Sequence, residues 1–268
     1  MSGVRKGRIA VVAIVAHPDD EALIAGGTLA LAAEAGLATG VVCLTRGELG
    51  PISDPHLADA QTLGAVRERE LQASCAALGV DWARCLEHPD GELAWADVKA
   101  AAAELAAVLR PVRPTVLLTF GEDGLYGHPD HVATWRIANR ATALLWTLGP
   151  RLYEATWPPE LVPDLVAAAG QRGLPTSLWG LDPHAFGSPQ ADPTTRLDVR
   201  PVLDRKLRAL RAHRTQLDRD HLLTGLPDDL AARFLGEEAW RSTDPPASPD
   251  VLGRLLGGGV RSAGVNHG

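Results

Sequence analysis

The chain has 268 residues, of which 46% are hydrophobic and 22% charged; that length suits one well-buried domain, or one domain with an elaborated flank, and no apolar run approaches the roughly 20 residues of a membrane span. Its formal charge of -7, from 33 acidic and 26 basic residues, lacks the basic footprint of a nucleic-acid binder. A membrane-spanning, collagen-like or wholly disordered chain is thereby excluded, and small neutral or cationic ligands remain open.

Met1 to Arg8 is short and basic, but the apolar run behind it leads straight into His17-Pro18-Asp19-Asp20 instead of a small-residue cleavage site, so a cytoplasmic protein is expected. That run, Ile9 to Val15, is β-branched-rich and unbroken, the pattern of a central parallel strand buried on both faces. Glu21 to Ala35 reads as a helix in which Gly26 and Gly27 cost propensity but allow close approach to a sheet. Gly40 to Thr45 is the next strand. Leu63 to Gly79 reads as a helix closed by Gly79, with Leu71, Cys75 and Leu78 on one stripe, and a short strand is expected around Arg84 to Leu86. Trp95 to Leu109 is an alanine-rich helix ended by Pro111 and Pro114, and Thr115 to Phe120 is a strand as apolar as the first. Cys43, Cys75 and Cys85 have no CxxC spacing and sit among apolar residues, so no disulfide framework is indicated.

This alternation implies an α/β, Rossmann-like fold: a mostly parallel sheet flanked by helices, with right-handed crossovers, strand order 3-2-1-4 and further strands beyond. Strands one and four are then neighbours, the winding direction reverses between them, and the crevice at their carboxyl ends is the expected ligand site. After Pro150 many prolines suggest an irregular flank, with a strand at Thr195 to Arg200 turning Leu197 and Val199 inward. A helix over Val202 to Leu217 places Leu203, Leu207, Leu210 and Leu217 on one stripe, with His213 beside it and facing inward. Ser242 to Asp250 is proline-rich, and Gly257-Gly258-Gly259 opens a tail expected to be mobile. Residues 1–217 are read as one domain and 218–268 as an extension packed on it.

Two polar clusters fall in the expected crevice. His17-Pro18-Asp19-Asp20-Glu21 follows the central strand directly, and its three carboxylates would repel one another in a crevice unless a cation or hydrogen bonds compensate. Gly127-His128-Pro129-Asp130-His131 follows strand four and adds two imidazoles and a carboxylate. Two histidines and one carboxylate, with a fourth position open to water, are a recurrent catalytic zinc arrangement, so His17, Asp20 and His131 are candidate ligands. Asp19 and His128 are left over as the base and acid that a metal-assisted hydrolysis needs. Either cluster alone could be a turn or helix cap; both after adjacent buried strands argue for a site.

With AHPDDE at Ala16 to Glu21 and HPDH at His128 to His131, the chain resembles the LmbE-like, or PIG-L, deacetylase family. Weaker matches keep the same order: Thr45 to Gly50 is similar to TxGExG, Arg67 to Leu71 to RxxEL, Pro89 to Leu93 to PDGEL, and Lys206 to Gln216 to a later family stretch, so the resemblance spans roughly residues 8 to 217. It implies a zinc-dependent amidase that removes an acyl group, usually acetyl, from an amino sugar or related amine, with His17, Asp20 and His131 on one zinc ion. Asp19 would be the general base, His128 the acid or oxyanion stabiliser, and Asp130 the group that orients His128. An acidic partner such as Asp130 would raise the pKa of that histidine. The family centre also serves amidases of thiol-sugar S-conjugates of the mycothiol type, an alternative that only the pocket walls would decide; those are expected from the segments near Pro51 to Thr62 and Trp157 to Pro193.

Arg67 falls on the apolar stripe of its helix, either snorkelling, paired with Glu48 or Glu70, or, as the resemblance implies, contacting substrate. Asp90 fits either a Pro-Asp-Gly turn or a contact to substrate hydroxyls. Tyr126 either hydrogen-bonds the oxyanion or packs, and His213 is either a satisfied core residue or, as a candidate substrate contact, part of the active site. The seven tryptophans read as core or cleft wall. A receiver-like magnesium domain is disfavoured because none of Lys6, Lys99 and Lys206 follows a strand end near the clusters, and three histidines favour zinc over magnesium. A non-catalytic sugar-binding protein on the same fold is the remaining alternative.

Overall fold

Ala10–Val15 forms β1, every residue buried, and it is flanked on both sides by strands of the same character. In the computed structural model, which describes residues 10–187, 193–217, 221–223, 225–245 and 249–256, β2 (Ala38–Cys43) pairs parallel with β1 on one edge, Val15 opposite Cys43. β3 (Trp82–Cys85) continues that side. On the other edge stands β4 (Val116–Thr119), with Ala13 opposite Leu118, followed by β5 (Arg151–Ala155). β6 (Thr195–Asp198) and β7 (Glu237–Ser242) close the sheet antiparallel, in the order β3-β2-β1-β4-β5-β7-β6. The 3-2-1-4 order and the switch point between β1 and β4 agree with the sequence pattern; β5 and β7 had no clear signal.

Helices cover both faces. The expected helix over 21–35 is two, α1 (Asp20–Ile24) and α2 (Gly26–Glu34), broken at Ala25 with φ -129° and ψ 0°. The break lets α2 run close to the chain after β6: a Cβ on Gly27 would stand 2.4 Å from the Val199 Cβ, so it is this segment, and not the sheet, that requires the glycine. α3 (Leu63–Leu78) ends at Gly79 in the left-handed conformation, as its glycine predicts. A 3-10 turn at Leu93–Trp95 precedes α4 (Val98–Leu109), which Asp97 caps by accepting the Lys99 and Ala100 N–H groups. α5 (Gly124–Gly127) is a kinked turn with Leu125 at φ 70°, and it delivers the chain into α6 (Pro129–Leu144).

In the flank, α7 (Leu161–Gly170) precedes β6, in which Leu197 is buried as expected, as is Val199 just beyond it. α8 (Leu203–Ala212) stops five residues short of the predicted Leu217. Glu70 on α3 accepts both the N–H and the hydroxyl of Thr215, at 2.9 and 2.6 Å, and this contact replaces another helical turn. Between α9 (Asp228–Phe234) and α10 (Val251–Leu255) lies β7, whose Glu238 is buried. Glu238 accepts Gly27 N–H at 2.7 Å, Thr28 N–H at 2.8 Å and Lys206 Nζ at 2.7 Å, tying the last strand to α2 and α8. Residues 246–248 of the proline-rich stretch, and the glycine run and tail at 257–268, lie outside the described residues. Among those described, no helix is long and apolar enough to cross a membrane.

Candidate metal centre and active site

The carboxyl ends of β1 and β4 open on a cavity of about 380 Å³ lined among others by His17, Asp19, Asp20, Tyr126 and His128. Asp20 opens α1 and is turned back on the strand end, where one oxygen accepts His17 N–H at 2.8 Å. His131, on the first turn of α6, stacks on Phe120 with ring centroids 4.0 Å apart. Its Nδ1 lies 3.1 Å from the Gly124 carbonyl oxygen, an acceptor only, so the ring proton sits on Nδ1 and Nε2 keeps its lone pair. That buried Nε2 makes no hydrogen bond and lies 3.3 Å from Asp20 Oδ1. His17 completes the group, its Nδ1 3.4 Å from Asp20 Oδ2. One ligand atom from each of His17, Asp20 and His131 lies within 4.8 Å of the others.

His17, Asp90 and Asp130 form a second close group, but there the carboxylates already have backbone donors. Asp130 accepts Gly91 N–H at 2.8 Å and Leu93 N–H at 3.2 Å, and Asp90 accepts Leu49 N–H at 2.8 Å. Both carboxylates face His17 Nε2, at 3.4 Å and 3.1 Å. This is the arrangement that fixes the tautomer of a ligating imidazole and turns its other nitrogen toward an ion. The electrostatics agree. Burial pulls the His17 pKa down, yet the Asp130, Asp20 and Asp90 carboxylates hold it well above the usual 6.5, a surplus of negative charge that calls for a cation.

Asp19 stands beside this group with φ 122° and ψ -32°, a conformation rare for any residue but glycine, which costs of order 1–3 kcal/mol and persists only when neighbours hold it. Arg67, buried on α3, is one such neighbour: it donates to the Asp19 carboxylate at 3.1 Å, to the Pro18 carbonyl at 2.5 Å and to the Gly47 carbonyl at 2.8 Å. Gly47, at φ 65°, would carry a Cβ 2.3 Å from the guanidinium, so only glycine lets the arginine through. Burial raises the Asp19 pKa to about 6, against the lowering charge of Arg67, a value suited to a proton acceptor near neutral pH.

His128 caps α6: its Nδ1 accepts Asp130 N–H at 3.2 Å, which leaves its proton on Nε2. Burial first, then the His131 and His17 rings, push its pKa down to about 4, so at neutral pH it is an uncharged donor. The Tyr126 ring packs edge-on against His128 and His131, at 5.8 and 5.2 Å between centroids. Burial also holds its phenol proton on.

The family model for GlcNAc-PI de-N-acetylase (PIG-L) matches residues 12–142. The chain is 36% identical over 272 residues to a 1D-myo-inositol 2-acetamido-2-deoxy-alpha-D-glucopyranoside deacetylase of Acidothermus cellulolyticus, covering 91% of this chain and 92% of the relative. A protein of the same name from Thermobispora bispora is 35% identical, with 93% of each chain covered. The chain belongs to the PIG-L deacetylase family. Among solved structures, the N,N'-diacetylchitobiose deacetylase of Pyrococcus horikoshii shares the fold at a TM-score of 0.61 and 24% identity, covering 92% of this chain and 89% of that one. A 4-carboxy-2-hydroxymuconate hydratase of Pseudomonas putida shares it at 0.64 and 21%, covering 91% and 99%, so the fold alone does not select a reaction.

This PIG-L chain is a hydrolase of amide C–N bonds, and the family match runs from β1 to α6, spanning both histidine clusters. The fold brings His17, Asp19, Asp20, His128 and His131 together, with Arg67, Asp90 and Tyr126 on the same cavity. Two placements differ from expectation. The Asp130 carboxylate reaches His17 and the 91–93 turn, not the His128 ring, because at the start of α6 it is the Asp130 backbone N–H that meets His128; burial and the neighbouring imidazoles therefore lower the His128 pKa where a carboxylate partner would raise it. His213, expected at the substrate, is wholly buried behind Asp19, its Nε2 2.8 Å from Glu21 Oε1, and does not line the cavity. The Arg67 partners are Asp19 and two carbonyls, not Glu48 or Glu70. Sequence reasoning missed Gln216, whose amide holds the Pro51 carbonyl at 2.9 Å, and the wall residue Leu49; the wall residues Pro51, Trp179 and Leu181 come from the two segments expected.

Proposed function

We propose that this protein hydrolyses the N-acetyl amide of a 2-acetamido-2-deoxy-glucoside, the substrate class for which its relatives are named, and that His17, Asp20 and His131 hold a zinc ion for the reaction. The observation that carries this reading is the His131 Nε2 lone pair, buried without a hydrogen bond and facing Asp20 and His17 on a cavity that also exposes Asp19 and His128. Two imidazoles and one carboxylate suit zinc better than magnesium. When bound, zinc lowers the pKa of its water to about 7 and polarises the amide carbonyl.

The chain supplies the rest. Asp19, deprotonated at neutral pH and anchored by Arg67, takes a proton from the attacking water and returns it to the amine nitrogen as the C–N bond breaks. His128 Nε2–H donates a hydrogen bond to the carbonyl oxygen as it gains charge, the role of a neutral imidazole electrophile. Tyr126 walls the same side. Asp90 and Arg67 face the sugar, Asp90 as acceptor for its hydroxyls. Asp130 acts through His17, by holding the ring.

The test compares wild type, Asp19→Asn and His131→Ala for zinc content and for amine release from the N-acetylglucosaminide of myo-inositol. Asp19→Asn keeps its zinc and loses turnover by about 100-fold or more, whereas His131→Ala loses zinc and turnover together. Wild-type turnover in Asp19→Asn would remove the proposed base.

A further inference from the structure

Behind Asp19 lies a group of buried polar side chains that neither line the cavity nor belong to the candidate ion ligands. The Glu21 carboxylate, fully buried, accepts Asp19 N–H on Oε2 at 2.9 Å. Its Oε1 accepts the Ser74 hydroxyl at 2.5 Å and faces His213 Nε2 at 2.8 Å. His213 caps the end of α8, so the chain reaches across 192 positions to hold one carboxylate. A buried carboxylate needs donors, and here α3, through Ser74, and the end of α8, through His213, supply two to an oxygen pair whose remaining contact is the backbone N–H of Asp19.

The contact falls where the backbone needs support. At φ 122°, Asp19 is outside the regions a non-glycine residue adopts freely, and the neighbours must hold it there. Arg67 holds the carboxylate end of the residue; Glu21 holds its N–H. We propose that Glu21 and His213 are positioning residues: Glu21 pins the Asp19 backbone in the conformation that turns its carboxylate into the cavity, and His213, with Ser74, fixes Glu21. The inference rests on Asp19 being the proton acceptor, as proposed above.

Glu21→Ala, Glu21→Gln, Ser74→Ala and Asp19→Asn, each reconstituted with zinc, test it through kcat, KM and zinc affinity by chelator competition. Glu21→Ala lowers kcat on the order of 100-fold, the scale of an ångström-sized misplacement of a catalytic group, with KM within about threefold and zinc affinity unchanged. Glu21→Gln recovers most of that loss, because its amide oxygen still accepts Asp19 N–H while its NH2 meets Ser74 and His213. Ser74→Ala loosens the clamp without removing it and lowers kcat by about three- to tenfold at constant KM; it carries the test if Glu21→Ala does not fold. Wild-type kcat in Glu21→Ala, or in Ser74→Ala when that variant stands in, overturns the proposal. So does a Glu21→Gln as impaired as Glu21→Ala, which would mean that charge matters and not the accepted hydrogen bond, or a zinc affinity that falls in step with kcat, which would place the effect on the ligands. Asp19→Asn separates the two levels: if it is inactive and Glu21→Ala is not, only the clamp falls; if it is active, the base falls and the clamp with it.

Discussion

Arg67 shows how much a single buried charge organises. Its guanidinium joins the loop after β2, through the Gly47 carbonyl, to the turn after β1, through Pro18 and Asp19, so one side chain fixes both the base and one lip of the cavity. Arg67→Ala leaves these acceptors unpaired and lowers kcat/KM on the order of 100-fold, measured as amine release. Arg67→Lys does not restore it, since an ammonium cannot span three acceptors in a planar fork. The spacing of Arg67 on an apolar helix stripe marked it in the sequence as out of place in a core, but its partners were not legible there, because they lie in loops whose course depends on Gly47 and on the strained backbone at Asp19.

At the scale of elements, the glycine at the start of α2 and the tyrosine on β5 each give a direct prediction. Gly27→Ala drives a methyl into the Val199 Cβ and destabilises by about 1–3 kcal/mol, read by chemical denaturation. Tyr153 on β5 has its hydroxyl at the start of α10, accepting Val251 and Leu252 N–H at 2.9 and 3.0 Å and donating to Asp250 at 3.1 Å. Burial, with Asp250 beside it, raises its pKa to about 12. The neutral phenol is therefore favoured in the folded state: its contribution is complete below the unfolded pKa of about 10 and is lost as pH rises from there through 12. Tyr153→Phe removes that part of the alkaline loss of stability, seen as a flatter denaturation profile between pH 9 and about 12. β1, β2 and β4 were legible because strands buried on both faces read as unbroken apolar runs. β5, Arg151–Ala155, is short and carries charges three positions apart at Arg151 and Glu154, and β7, Glu237–Ser242, carries two glutamates of which only Glu238 is buried, so neither has the pattern of a strand and each is set by its neighbours. The early end of α8 was illegible for the same reason: Glu70 and Thr215 lie 145 residues apart.

For the whole molecule, the strand order carries the site. Placing β1 beside β4 brings His17, Asp19 and Asp20 to His128 and His131 across more than a hundred residues of sequence, and the two motifs were enough to foresee that meeting. Part of what lies behind and around it, His213, Trp179, Leu181 and Gln216, comes from the C-terminal half, where Lys206 and Glu238 form a buried pair that joins the last strand to two helices. Lys206→Met leaves Glu238 with backbone donors but no counter-charge and costs about 3–5 kcal/mol, measured by denaturation. Ion binding acts on the same global equilibrium: an ion that binds only the folded chain stabilises it by about 2.7 kcal/mol at 100 times its dissociation constant. The most direct test of the account is zinc titration into chelator-stripped protein, with bound zinc and amine release from the N-acetylglucosaminide of myo-inositol followed in the same samples. Release rises in proportion to bound zinc and saturates at one zinc per chain; full release from stripped protein, or one zinc per chain with no release, would overturn the zinc-dependent reaction proposed for this site.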